Sequence, residues 1–136
     1  MARENSVSTS PSVANCAAFI LVVDDELLVR MMVSDFLRDA GFQVIEAFNA
    51  DEAISILQSG VRIDLMLSDV RMPGSMDGLG LLEYARDMFP ALPVIITSGH
   101  LVPREALAKG AVQFLGKPYA PDHAIDLVKR ELARLR

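Results

Sequence analysis

From Phe19 onward, short apolar runs alternate with longer stretches in which apolar and polar positions recur at helical spacing. Phe19-Ile-Leu-Val-Val23 is apolar throughout and rich in β-branched side chains, and it predicts a buried strand. Glu26 to Ala40 predicts a helix with Val29, Met32, Phe36 and Ala40 on its apolar face and Gly41 as a left-handed C-terminal stop. Gln43 to Ala47 predicts a second strand. Asn49 then caps a helix over Ala50 to Ser59, with Glu52 in the capping-box position and Gly60 as the stop. Asp64 to Ser68 predicts a third strand, and Leu79 to Met88 a helix that ends before Pro90. Val94 to Ser98, a short helix over Arg104 to Lys109, and Val112 to Leu115 follow. The last helix starts near Pro121, carries the stripe Ile125, Val128, Leu132 and Leu135, and gathers basic residues toward its C-terminus, where the helix dipole favours cations.

Strands that alternate with helices need crossover connections, which predicts an α/β fold: a five-stranded, mostly parallel, doubly wound sheet with five helices on its two faces. Residues 1–18 show no periodicity and are rich in Ser, Asn and small side chains, which predicts a disordered tail ahead of a folded domain over 19–136. The chain of 136 residues has room for that one domain, so a stand-alone module is expected.

Composition narrows the function. With 51% hydrophobic and 23% charged residues the chain can build a core. Its 13 Lys and Arg against 18 Asp and Glu leave a net charge of −5, which argues against the basic footprint of direct nucleic-acid binding. The lone cysteine, Cys16, cannot form an intramolecular disulfide, and no apolar run approaches the length of a membrane span or a signal peptide. The expectation is a cytoplasmic protein with no membrane or nucleic-acid partner.

In an open parallel sheet, functional groups collect beyond the carboxyl ends of the strands. There the sequence places Asp24-Asp25-Glu26 after the first strand, Ser68-Asp69 at the third, Thr97-Ser98-Gly99 at the fourth and Lys117-Pro118 after the fifth. Each piece alone has a bland explanation: acidic residues complement a helix N-terminus, an aspartate ends a strand in a turn, a lysine is solvated. Their joint placement at one end is much harder to obtain by chance. Clustered carboxylates repel one another, and a hard divalent cation such as Mg²⁺ resolves the repulsion while retaining waters for a phosphate. Carboxylate, divalent metal, hydroxyl and ammonium together suit phosphoryl transfer, in which an aspartate can be the nucleophile.

At these residues the chain resembles the receiver domain of two-component response regulators. Leu21-Val-Val-Asp-Asp-Glu26, Leu67-Ser-Asp-Val-Arg-Met-Pro-Gly74 with Met76-Asp-Gly78, Leu92-Pro-Val-Ile-Ile-Thr-Ser-Gly99 and Phe114-Leu-Gly-Lys-Pro118 carry the resemblance, which covers 19–136. It implies the flavodoxin-like receiver fold, with Asp69 accepting phosphate from a sensor histidine kinase or a histidine phosphotransfer protein. It implies that Asp25 and Asp69 bind Mg²⁺ directly, Asp24 mostly through water, and that the Arg71 backbone carbonyl adds a ligand. Ser98 and Lys117 are implied to contact the phosphoryl group, Ser98 and Phe114 to form a switch, and Lys117-Pro118 to be a cis peptide. It implies no turnover enzyme, only self-catalysed phosphotransfer and dephosphorylation, with output through protein contacts by a monomer or weak dimer.

Several positions depart from the resemblance. The acceptor loop Met72-Pro-Gly-Ser-Met-Asp-Gly78 is one residue long, with Ser75 as the insertion, and Phe114 lacks the hydroxyl of a tyrosine switch. Arg71 and His100 flank the expected phosphate, where they are candidates for tuning its lifetime, and His123 is expected on the surface of the last helix. Two other functions fit less well. A small aspartyl-phosphate phosphatase needs a second aspartate where Arg71 stands, and an adaptor without phosphorylation leaves the full acidic, hydroxyl and lysine set unexplained.

Overall fold

The computed structural model describes residues 18–100 and 103–135. Cys16 and nearly all of the expected tail lie outside them. Five strands, β1 (Phe19–Val23), β2 (Gln43–Ala47), β3 (Leu65–Asp69), β4 (Val94–Ser98) and β5 (Gln113–Gly116), alternate with five helices: α1 (Leu27–Asp39), α2 (Ala50–Gln58), α3 (Gly78–Met88), α4 (Pro103–Ala108) and α5 (Pro121–Ala133). The expected bounds of β1, β2 and β4 agree at both ends; the other elements differ by a residue or so at their ends.

All four pairings are parallel, in the order β2-β1-β3-β4-β5. Successive residues of a strand point to opposite faces, so the central strands feed two cores. Leu21, Val23, Met66, Val94 and Ile96 pack under Ala53, Leu57, Leu81 and Leu82 on one side. On the other, Ile20, Val22, Leu65, Leu67 and Ile95 meet Val33 and Leu37 of α1 and Leu127 and Val128 of α5. This two-faced burial accounts for the unbroken apolar runs.

Local signals act as expected at α2. Asn49 Oδ1 accepts the Glu52 N–H at 2.8 Å, and Glu52 Oε1 accepts the Phe48 N–H at 2.8 Å. Gly41 follows α1 at φ 101°, a conformation that a side chain would strain.

Two helix faces differ from expectation. In α1 the buried residues are Val33, Ser34 and Leu37, not the stripe Val29, Met32, Phe36 and Ala40; Met32 and Phe36 are about 40% exposed. Apolar residues run nearly all the way round this helix, so periodicity alone did not choose the face. In α5 the expected stripe holds at Val128, which is buried, and at Ile125 and Leu132, which pack partly buried against the core; Leu135 is exposed, and Ala124, Leu127 and Glu131 join the buried set. Glu131 takes a core position because Gln113 Nε2 donates to it at 2.7 Å. His123 is exposed, as expected. Among the described residues, no helix is long and apolar enough to cross a membrane.

Candidate functional site

Chain order and spatial order part company at β1, which lies between β2 and β3, and a crevice opens at such a reversal beyond the strand ends. Asp24 and Asp25 follow β1 there, and Asp69 ends β3 beside them. Ligand oxygens of the three carboxylates lie within 4.8 Å of one another. Asp24 and Asp69 are buried and Asp25 is exposed, so the cluster is anchored in the fold and open on one side.

Lys117, which follows β5, spans the cluster. Its Nζ lies 3.1 Å from Asp24 Oδ2, 3.3 Å from Asp69 Oδ2 and 3.5 Å from Glu26 Oε1. The Lys117 N–H donates to the Ser98 carbonyl at 2.9 Å, which ties the lysine to the end of β4. The Lys117-Pro118 peptide is cis, as the resemblance implies. Asp69 Oδ1 accepts the Val70 N–H at 2.9 Å, leaving Oδ2 turned toward Lys117.

Protonation energies follow from crowding. Burial raises the Asp69 carboxyl above its ordinary pKa; Lys117 opposes this and the nearby Asp24 charge reinforces it. Burial works against the Lys117 ammonium, but the carboxylates of Asp24 and Asp69 outweigh it and the pKa rises. One ammonium thus serves several carboxylates, and the site has a deficit of positive charge. Oxygen donors at this spacing, in a partly open crevice, fit a small hard dication.

Ser98 is buried, and its Oγ accepts the His100 N–H at 3.1 Å. Arg71 and His100 have exposed side chains and border a cavity of about 580 Å³ together with Asp25, Asp69 and Lys117. The other wall of that cavity is apolar, made by Val29, Met32, Pro118 and Tyr119. Tyr119 is pushed up to about 12, chiefly by burial. Phe114 is half-buried against the first core, and a Cβ on Gly116 would lie 3.7 Å from its ring. The ring therefore lies along β5 toward Gly116, the residue in register with Ser98. Ser75 is exposed in the acceptor loop.

Sequence reasoning missed several contributors. A Cβ on Gly78 would overlap the Asp69 carbonyl oxygen and come 2.7 Å from Val70 Cα, while the Gly78 N–H donates to the Val70 carbonyl at 2.8 Å. Glycine here lets α3 start against the backbone of Asp69 itself. No periodicity announces this close approach. Glu26, as a third carboxylate on Lys117, and Tyr119, as a wall of the cavity, were visible only as neighbours of stronger signals.

Comparison with known proteins agrees with this geometry. The family model described as "Response regulator receiver domain" matches residues 20–129. The DNA-binding transcriptional regulator NtrC of Salmonella typhimurium is 38% identical over 117 residues, 84% of this chain and 24% of that protein. The receiver domain of NtrX from Brucella abortus, a crystal structure, superposes with a TM-score of 0.78 at 36% identity, covering 84% of this chain and 98% of that one. A CheY-like receiver domain protein from Methanospirillum hungatei gives a TM-score of 0.81 at 26% identity, over 87% and 95% of the two chains. The chain spans about a quarter of the length of the curated relatives it matches, so the expected stand-alone arrangement draws no support from them.

Proposed function

The chain belongs to the response regulator receiver domain family, and from that premise we propose that Asp69 is the phosphoacceptor of a two-component phosphorelay, charged by a phosphohistidine on a sensor kinase or phosphotransfer protein. The observation that carries this reading is the convergence of Asp24, Asp25 and Asp69 within 4.8 Å, with Lys117 Nζ 3.3 Å from Asp69.

Asp25 and Asp69 would hold Mg²⁺ with the Arg71 carbonyl, and Asp24 chiefly through water. The bound dication supplies charge neutralisation for the carboxylate and for the incoming phosphoryl oxygens. Asp69 presents Oδ2 to the crevice while Val70 holds Oδ1, so one oxygen is aimed as the nucleophile. As the P–N bond of the donor breaks, the phosphoryl group joins that oxygen and the imidazole leaves with its ring nitrogen. Lys117 then exchanges a carboxylate partner for a phosphoryl oxygen, and the Ser98 hydroxyl turns to donate to another. Both belong to the β4–β5 side of the sheet, so the new contacts pull on that side, and Phe114 follows in the space over Gly116. Phosphorylation biases this two-state element, and the α4–β5–α5 region presents the result to a protein partner.

The test is labelling with acetyl phosphate in Mg²⁺, read by intact-protein mass. Wild type gains one phosphoryl group and loses it slowly; Asp69→Asn gains none. Labelling of the variant at the wild-type level would overturn the assignment, as would wild-type labelling that ignores chelation of Mg²⁺.

A further inference from the structure

Asp24 is fixed from four directions. Its N–H donates to the Ala47 carbonyl at 3.1 Å, its Oδ1 accepts the Glu26 N–H at 2.9 Å, and its Oδ2 faces Lys117 at 3.1 Å. The fourth contact reaches in from outside the acidic cluster: Arg30 Nη1 donates to the Asp24 carbonyl oxygen at 2.8 Å.

Arg30 lies one turn into α1, and its side chain is only 15% exposed. Its Nε donates to Glu46 Oε1 at 3.0 Å, and Glu46 sits on the edge strand β2. The second Glu46 oxygen accepts from Arg38 Nη2 at 3.2 Å. A relay of charge-assisted hydrogen bonds thus runs from α1 through β2 and back to the main chain of the site. The oxygen it grips belongs to the planar peptide that joins Asp24 to Asp25. Holding that oxygen sets the plane from which Asp25 projects, and Asp25 is the exposed member of the cluster, with little packing to orient it.

We propose that Arg30, braced by Glu46, is a positioning residue that presets the Asp24–Asp25 backbone for the divalent cation. The inference rests on the reading of the three carboxylates as a cation site. Two physical effects of Arg30 have opposite signs, which makes the proposal decidable. As a bare charge near the acidic cluster, Arg30 opposes a dication, and neutralising it tightens binding. As a donor that orients the ligand-bearing peptide, its loss weakens binding. Pairing with Glu46 cancels most of the charge and leaves the donor, so the positioning effect dominates.

Calorimetric Mg²⁺ titration of the full chain tests this, alongside urea unfolding without Mg²⁺ for wild type, Arg30→Met, Arg30→Lys and Glu46→Gln. The expected result is a Kd weakened about fivefold to tenfold in Arg30→Met, the range that loss of one ordinary hydrogen bond reaches. Glu46→Gln keeps Arg30 but loosens its brace, and should weaken Kd about threefold, while Arg30→Lys, retaining charge and one donor, recovers part of the loss. A Kd that is unchanged or tighter in Arg30→Met, including one accompanied by a lower urea midpoint, overturns the proposal. Should that variant not fold, an unchanged Kd in Glu46→Gln does the same. Wild type that takes up no Mg²⁺ defeats the underlying site reading instead.

Discussion

Arg71 and His100 both border the cavity, one from the loop after β3 and the other from the loop after β4. Hydrolysis of an aspartyl-phosphate at Asp69 requires a water to approach the phosphorus opposite the Asp69 oxygen, through the open side of the crevice. Bulky polar groups at that side both occupy space and offer hydrogen bonds to the water or to the phosphoryl oxygens. For Arg71, whose guanidinium can bind phosphoryl oxygens bidentately, the expected balance is protection. Arg71→Ala should therefore shorten the phosphate lifetime about threefold or more, with His100→Ala changing it by a smaller factor. Timing the loss of label by intact-protein mass after removal of acetyl phosphate checks this, and equal lifetimes in all three proteins would reduce both residues to solvated loop positions. Lys117 is a contrasting case at the same scale, because three carboxylates hold its ammonium within 3.5 Å.

At the level of elements, α1 has two unlike faces. Val33 and Leu37 enter the core beside α5, while Leu28 is 80% exposed and Met31 46% exposed. Met32 lines the apolar wall of the cavity, and Leu28 lies one turn before it on the same side of the helix. On the proposed reading, a phosphohistidine protein charging Asp69 would set its own surface against this wall, and an apolar patch there would supply binding area that a small phosphodonor never touches. Leu28→Glu should slow phosphotransfer from a histidine-phosphorylated protein about tenfold and leave labelling by acetyl phosphate unchanged; equal slowing with both donors would mean that the site itself was damaged. The same helix shows where sequence reading stops. Strands β1 and β4 were legible as short β-branched apolar runs, and β2 from its place between the stop at Gly41 and the cap at Asn49. The acidic cluster was legible because β1, β3, β4 and β5 all end at one rim. Helix faces were less so: α1 is apolar nearly all round, and in α5 a buried Glu131 partnered by Gln113 breaks the expected stripe. Gly78 and Arg30 act on the backbone of the site across the tertiary structure, a relation that no local spacing encodes.

For the whole molecule, a site of this kind costs stability until it is filled. Burial lifts the Asp69 carboxyl above its ordinary value, with the Asp24 charge adding to the effect and Lys117 only partly offsetting it. The sign follows from linkage. In the window between the unfolded pKa, near 3.8, and the raised folded one, the folded chain retains a proton that the unfolded chain has released. Stability therefore falls as pH rises through that window, and the deficit persists at neutral pH. Asp69→Asn removes the buried charge while leaving Lys117 its contacts with Asp24 and Glu26. In chelator at neutral pH, this variant should therefore be more stable than wild type, read as a higher urea midpoint. Toward about pH 3, where Asp69 is protonated in both states, the difference should close. Mg²⁺ should reverse the order, stabilising wild type by ~2.7 kcal/mol at a hundred times its Kd and the variant far less. Urea unfolding at two pH values, with and without Mg²⁺, measures all of these differences. A variant less stable than wild type in chelator at neutral pH would show that the Lys117–Asp69 contact outweighs the crowding, and that the acidic rim is a brace of the fold rather than a site held open for a cation and a phosphoryl group.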